Sequence, residues 1–252
     1  MKSNDARFWE VDVLRAVAIL LMMVFHLVYD LRYFGDYGIA VESGPWYWVG
    51  RICAIMFIVL VGVSLSIGHA KDETAKVPFS RQLLRHFKRG SLVFFWGMAI
   101  TVVAWFLVED GQILFGILHF IGLSIILAFP LLRFRYTNLV FGILCIAAGL
   151  YLQGRSFDFS WLFWLGLRPE FYHYLDYYPV LPWFGAVLVG VFIGNVFYSG
   201  DGRRFRLPDL SRFIPVRVLC FLGRHSLIIY LLHQPLIVLI LLLTGAISLG
   251  DI

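Results

Sequence analysis

The stretch "AVAILLMMVFHLVYDLRYF", residues 16–34, decides how the chain reads. It opens as an unbroken apolar run and then sets His26 and Asp30 one helical turn apart near its far end. A run of this length is fit to cross a bilayer, yet a lipid-facing helix has no use for an imidazole and a carboxylate. The segment therefore predicts a membrane helix with one polar side turned away from lipid.

The whole chain follows the same pattern. Its 252 residues are 60% hydrophobic and 15% charged, with mean hydropathy +0.82. A soluble domain carries fewer apolar and more charged residues, and here the excess is gathered into blocks, as in a polytopic membrane protein. The formal charge of +5 then concerns orientation in the bilayer, and no nucleic-acid partner is expected. Cys53, Cys145 and Cys220 fall in or beside apolar blocks without CxxC spacing. They read as small buried hydrophobes, and no metal site is expected.

Seven blocks are long enough to span, near 12–34, 46–68, 88–108, 114–132, 137–153, 180–198 and 217–243. The first, preceded by Lys2 and Arg7, reads as an uncleaved anchor. Residues 154–179 are crowded with aromatics and predict an interfacial segment with a short helix in the headgroup layer. Basic residues gather at the N-terminus and in the loops after blocks two, four and six, among them Lys71, Arg81, Arg85, Lys88, Arg89, Arg133 and Arg204. Acidic residues dominate the other loops, with Asp36, Glu42, Glu109, Asp110, Asp158, Glu170 and Asp176. This alternation predicts an all-α bundle of seven transmembrane helices, one domain over 1–252, with the N-terminus cytoplasmic and the C-terminus outside.

Steps of about 100° per residue bring Arg15, Met22, His26 and Asp30 onto one side of the first helix, with Asp12 beside them. His26 lies about 21 Å along that helix from its start, in the outer half. Arg51, His119, Trp183 and His233 fall at a similar outer depth on four other blocks, and Tyr230 shares a face with Ser226 and His233. Five helices supplying polar groups at one level suggest a site. Each group also has a plainer reading. A membrane histidine often only packs, Trp183 can belong to an aromatic belt, and Arg15 can snorkel to headgroups. For His26, a carboxylate four residues on would orient the ring and raise its basicity. Inside, Arg81, Arg85 and Lys88 or Arg89 recur at helical spacing, either as a positive-inside signal or as a phosphate site.

With these residues in view, the order of elements resembles a known family. "WEVDVLRAVAILLMMVFH" is similar to the opening of the transmembrane acyltransferases, with Ala16 where a Gly usually follows the Arg. "GILHFIGLS", "PWFGAVLVGVFIG" and "LGRHSLIIYLLHQPL" resemble later segments of the heparan-α-glucosaminide N-acetyltransferase catalytic-domain family, and the last also resembles the closing helix of the wider acyltransferase-three group. The resemblance implies transfer of an acetyl or other acyl group from acyl-CoA, as cosubstrate and not a tightly bound cofactor, to a hydroxyl or amine of a glycan or lipid-linked sugar across the membrane. It implies membrane lipid as surroundings, a bacterial inner membrane as location, and leaves a homodimer open. His26 then stands where the group's catalytic histidine stands. The expected catalytic set is His26, Asp30, His119 and His233. Arg15, Arg51, Arg85, Lys88 and Arg89 are expected toward the cosubstrate, and Trp183 and Tyr230 toward the acceptor. An acyl-histidine intermediate is a second mechanism. Two functions of other classes stay open on the residues alone: a haem-binding electron carrier with two of the histidines on iron, and a transporter or flippase with an outer polar site.

Overall fold

The computed structural model describes residues 8–107, 113–169, 176–200 and 202–248. Among them the helices are α1 (Trp9–Tyr33), α2 (Gly44–Thr74), α3 (Phe79–Leu107), α4 (Ile117–Ala128), α5 (Tyr136–Leu152), α6 (Val180–Phe197), α7 (Ile214–Arg224) and α8 (Ser226–Leu243). Among the described residues strand is confined to two short pairs, Ser156–Phe157 with Arg168–Pro169 and Tyr198–Ser199 with Gly202–Arg203, beside one isolated bridge between Phe115 and Tyr177. The protein is an all-α integral membrane protein. Helices α1, α2, α3, α6 and α8 are each long and apolar enough to cross a bilayer. Helix α4 is shorter and runs on through a 3-10 turn, Phe129–Leu131, and α5 has 17 residues.

Every expected block is helical, with two departures. The seventh, 217–243, is two helices, because the chain breaks at His225, whose φ of −99° and ψ of 15° leave the helical region. Helix α7 before the break is amphipathic, with Cys220 and Gly223 buried and Ile214, Val218 and Phe221 exposed. Within α8, Pro235 interrupts the run. The second departure is the aromatic loop. Its described part holds a single 3-10 turn, Phe163–Leu165, in place of a short helix. Residues 108–112 and 170–175, which carry the expected acidic Glu109, Asp110 and Glu170, lie outside the described residues.

The chain forms two compact units, Met1–Leu60 with Leu207–Ile252, and Val61–Arg206. In the first, α1 packs on α7 and α8. Its core gathers Ile19, Met22 and Cys53 with Phe57, Ile229 and Tyr230 around them, and a second cluster joins Ile237, Leu241 and Ile247 to Leu31 and Phe34. In the second unit α3 pairs with α4 and α5 with α6. Buried apolar side chains such as Phe120, Ile125, Val187 and Val191 fill it. Its α6 becomes regular after Leu181, which is extended (φ −98°, ψ 127°), as the residue before a proline tends to be. The three cysteines are free; Cys53 and Cys220 are buried and Cys145 is half-buried.

Candidate functional site

In the first unit α1 and α8 bring two imidazoles edge to face. The His26 and His233 ring centroids lie 4.8 Å apart at 82°. Each histidine sits inside its helix, where the nearest polar group is a carbonyl one turn back. His26 Nδ1 lies 2.9 Å from the Met22 oxygen, and His233 Nδ1 bonds to the Tyr230 oxygen. A carbonyl only accepts, so in both rings Nδ1 carries the hydrogen and donates it. In the neutral ring Nε2 is left as the lone-pair nitrogen, able to accept a proton. His233 Nε2 is buried and meets no polar partner among the described residues. Tyr230, expected toward the acceptor, lies against His233 with centroids 5.3 Å apart.

Asp30 does not fill the role expected of it beside His26. Its carboxylate is 1% exposed and takes both of its described bonds from Gln234 Nε2, at 2.8 and 3.0 Å. An i+4 residue is turned about 40° from the first around the helix, enough here to hand the carboxylate to α8. The link ties α1 to α8 one residue beyond His233. Gln234 was absent from the expected set. Its signal is modest, a single amide in an otherwise apolar helix, immediately after a histidine. The Gln234 Oε1 is buried without a partner among the described residues.

Near the start of α1, Asp12 is 5% exposed and accepts from two arginines, Arg15 Nη1 at 2.9 Å and Arg224 Nε at 3.1 Å. Helix α7 comes close enough for this because residue 223 is glycine. A Cβ there would stand 1.9 Å from the Asp12 carbonyl oxygen. Arg15, expected toward the cosubstrate, is thus engaged in an ion pair that anchors α1 to α7 through their shared carboxylate. Arg51 donates from Nε to the Tyr47 hydroxyl at 3.2 Å and lies over that ring.

The second unit carries His119, 1% exposed, at the third position of α4. The first turn of a helix has N–H groups with no carbonyl to meet. Here the Gly116 N–H donates to His119 Nδ1 at 3.2 Å, and the Ile117 N–H donates to Asp176 Oδ2 at 3.1 Å. Because Nδ1 accepts, His119 is the opposite tautomer, with hydrogen on Nε2. That Nε2 is buried and has no acceptor among the described residues. Phe94 meets the ring edge on and Phe115 stacks on it, with centroids at 5.1 and 5.8 Å. Gly97 of α3 makes the room, since a Cβ there would come within 3.0 Å of His119 Nδ1. Burial pushes the Asp176 carboxyl up to about 6, against the opposing pull of its bond from Ile117. Asp176 was named in the sequence only as a loop charge. Trp183 lies tilted against Tyr178, with ring centroids 4.9 Å apart.

Toward the start of α3, Arg81, Arg85, Lys88 and Arg89 line one groove with Leu84 and Leu92, about 530 Å³ in volume, as their helical spacing predicts. Arg85 also reaches Asp72 of α2 at 2.8 Å. The basic run is therefore a lined surface, one member of which is already ion-paired.

Residues 7–235 match the family model described as heparan-alpha-glucosaminide N-acetyltransferase, catalytic. No curated protein and no solved structure matches the chain.

Proposed function

Because the chain belongs to the heparan-α-glucosaminide N-acetyltransferase catalytic family, we propose that it is a membrane acetyltransferase working from acyl-CoA. The acceptor is a hydroxyl or amine of an envelope glycan or lipid-linked sugar on the far side of the membrane, the bacterial inner membrane. The observation that carries the chemistry is the His26 ring, whose Nδ1 is held by Met22 and whose Nε2 is left to accept a proton beside His233.

In this reading His26 Nε2 takes the proton from the acceptor O–H or N–H as that atom attacks the thioester carbonyl. The C–S bond then breaks, and the leaving thiolate takes the proton back from the imidazolium. The products are acylated acceptor and free CoA thiol. His233, with a lone pair at Nε2, suits accepting a hydrogen bond from the acceptor rather than donating to an oxyanion. In the second unit His119 has the donor's chemistry, with an Nε2–H that meets no acceptor among the described residues. Asp30 is a positioning residue, acting through Gln234 to fix α1 against α8. The groove of Arg81, Arg85, Lys88 and Arg89 suits the donor's phosphates, which bidentate and clustered cations bind well.

The test is thiol release from acetyl-CoA by the purified full chain in detergent, for the wild type and His26→Ala. Loss of release in a variant of unchanged helicity supports the reading. Release at the wild-type rate overturns it.

A further inference from the structure

A second cavity, of about 350 Å³, lies in the second unit where α2 ends, α3 begins and the 3-10 turn follows α4. His69, Glu73, Gln82, Arg133, Phe79 and Phe129 are its principal lining. None of these residues has a part in the proposed transfer.

The polar side of the cavity is fixed by one buried amide. Gln82 is 3% exposed, and its Nε2 donates to Glu73 Oε1 at 3.1 Å and to the Val77 carbonyl at 2.9 Å. Turning the amide over would aim an oxygen at two acceptors, so the assignment is unambiguous. Gln82 Oε1 therefore faces His69 Nδ1, 3.2 Å away, and His69 must donate there. Its Nε2 is left as an acceptor, with no hydrogen-bond partner among the described residues. Glu73 gives one carboxylate oxygen to Gln82 and has the other to spare. Two acceptors thus stand one helical turn apart on α2. Across the cavity Arg133 supplies a cation, its guanidinium resting over Phe134 at 4.6 Å. The apolar wall is Phe79 against Phe129, with ring centroids 5.3 Å apart.

A matching ligand has a hydrogen-bearing cation for His69 and Glu73, an anion beside it for Arg133, and an apolar body for the phenylalanines. The depth fits as well. The apolar run of α2 gives way at His69 to Lys71, Asp72 and Glu73, and α3 opens with Arg81 and Arg85, as at a headgroup layer. We propose that this cavity binds a primary-ammonium phosphate, the headgroup chemistry of phosphatidylethanolamine, held by His69, Glu73 and Arg133. A choline headgroup has no N–H to give the two acceptors. A phosphatidylglycerol headgroup has no cation and would meet Glu73 unfavourably.

The experiment is native mass spectrometry of the full chain, delipidated in detergent and exposed in turn to phosphatidylethanolamine, phosphatidylcholine, phosphatidylglycerol and soluble phosphoethanolamine. One charge-assisted hydrogen bond predicts retention of the ethanolamine lipid over the choline lipid by about tenfold or more. Glu73→Gln, at an exposed side chain, should erase that preference, whereas Arg133→Gln should weaken both lipids and keep it. If soluble phosphoethanolamine binds with the same Glu73 dependence and the lipid does not, the ligand is the free molecule and the headgroup chemistry stands. Equal retention of the lipids with no binding of the soluble molecule overturns the proposal, as does a preference for phosphatidylglycerol. The wild-type comparison is decisive even if a variant fails to fold.

Discussion

His26 and His119 are the same side chain put to opposite uses by where each sits in its helix. His26 lies mid-helix, where the local partner is a carbonyl, and its ring is left with an accepting Nε2. His119 lies in a first turn, where the local partner is an unmet backbone N–H, and its ring is left with a donating Nε2. Helical position alone thus decides which imidazole can take a proton and which can only give a hydrogen bond. While the Gly116 bond holds, His119 cannot be a base.

The comparison breaks most visibly at His26. His26→Ala should lower thiol release by about 10²- to 10⁴-fold with far-ultraviolet circular dichroism unchanged. Next comes a pair of variants at His119. His119→Leu leaves the Gly116 N–H without its acceptor and should destabilise by about 1–3 kcal/mol in detergent denaturation, while His119→Gln, which keeps both an acceptor for Gly116 and an N–H, should stay within about 1 kcal/mol. Equal losses in the two would mean the ring's tautomer is irrelevant. A third test concerns what holds His26 in place. Gln234→Leu strips a buried carboxylate of its donor and should destabilise by about 1–3 kcal/mol or more in detergent denaturation, with Asp30→Leu in the same chain restoring part of it. No recovery would show that Asp30 has other work.

The smallest effect is expected at the α4 cap. The Asp176 carboxyl is pushed up to about 6 from an ordinary 3.8, so the folded protein prefers it protonated. Its contribution is full below the ordinary value and is lost as pH rises through about 6. Asp176→Asn keeps an acceptor for the Ile117 N–H and does not titrate. Its melting temperature should exceed the wild type's at pH 8, with the gap closing as pH falls toward 4. A gap that widens on acidification would reverse the assigned cause.

The helices and the polar side of α1 were legible in the sequence because hydropathy and helical spacing are local properties. The partner of Asp30 was not. An i,i+4 rule sees His26 from Asp30 but cannot see Gln234, which lies 204 positions on and arrives only with α8. The pairing of Arg15 with Asp12 is local and followed from helical spacing, whereas Arg224, which shares that carboxylate, lies 212 positions on and arrives only with α7. The break at His225 falls in the short polar stretch Arg224-His225-Ser226, and the apolar runs before and after it read as one block over 217–243. His119 fell near the start of its block in the sequence, and it lies in the first turn of α4. Its tautomer needed the helix start at Ile117 and the Gly116 N–H before it.

Pro235 follows directly after Gln234 and brings no N–H to the helix ladder, so the Leu231 carbonyl is denied its usual rung. The turn carrying His233 and Gln234 is therefore the one that α8 braces least by itself. Its bracing comes from outside, through the Asp30 carboxylate. A flexible joint held by a neighbour's strut passes movement between the two, so a shift of α1 would swing the His233 ring along with it.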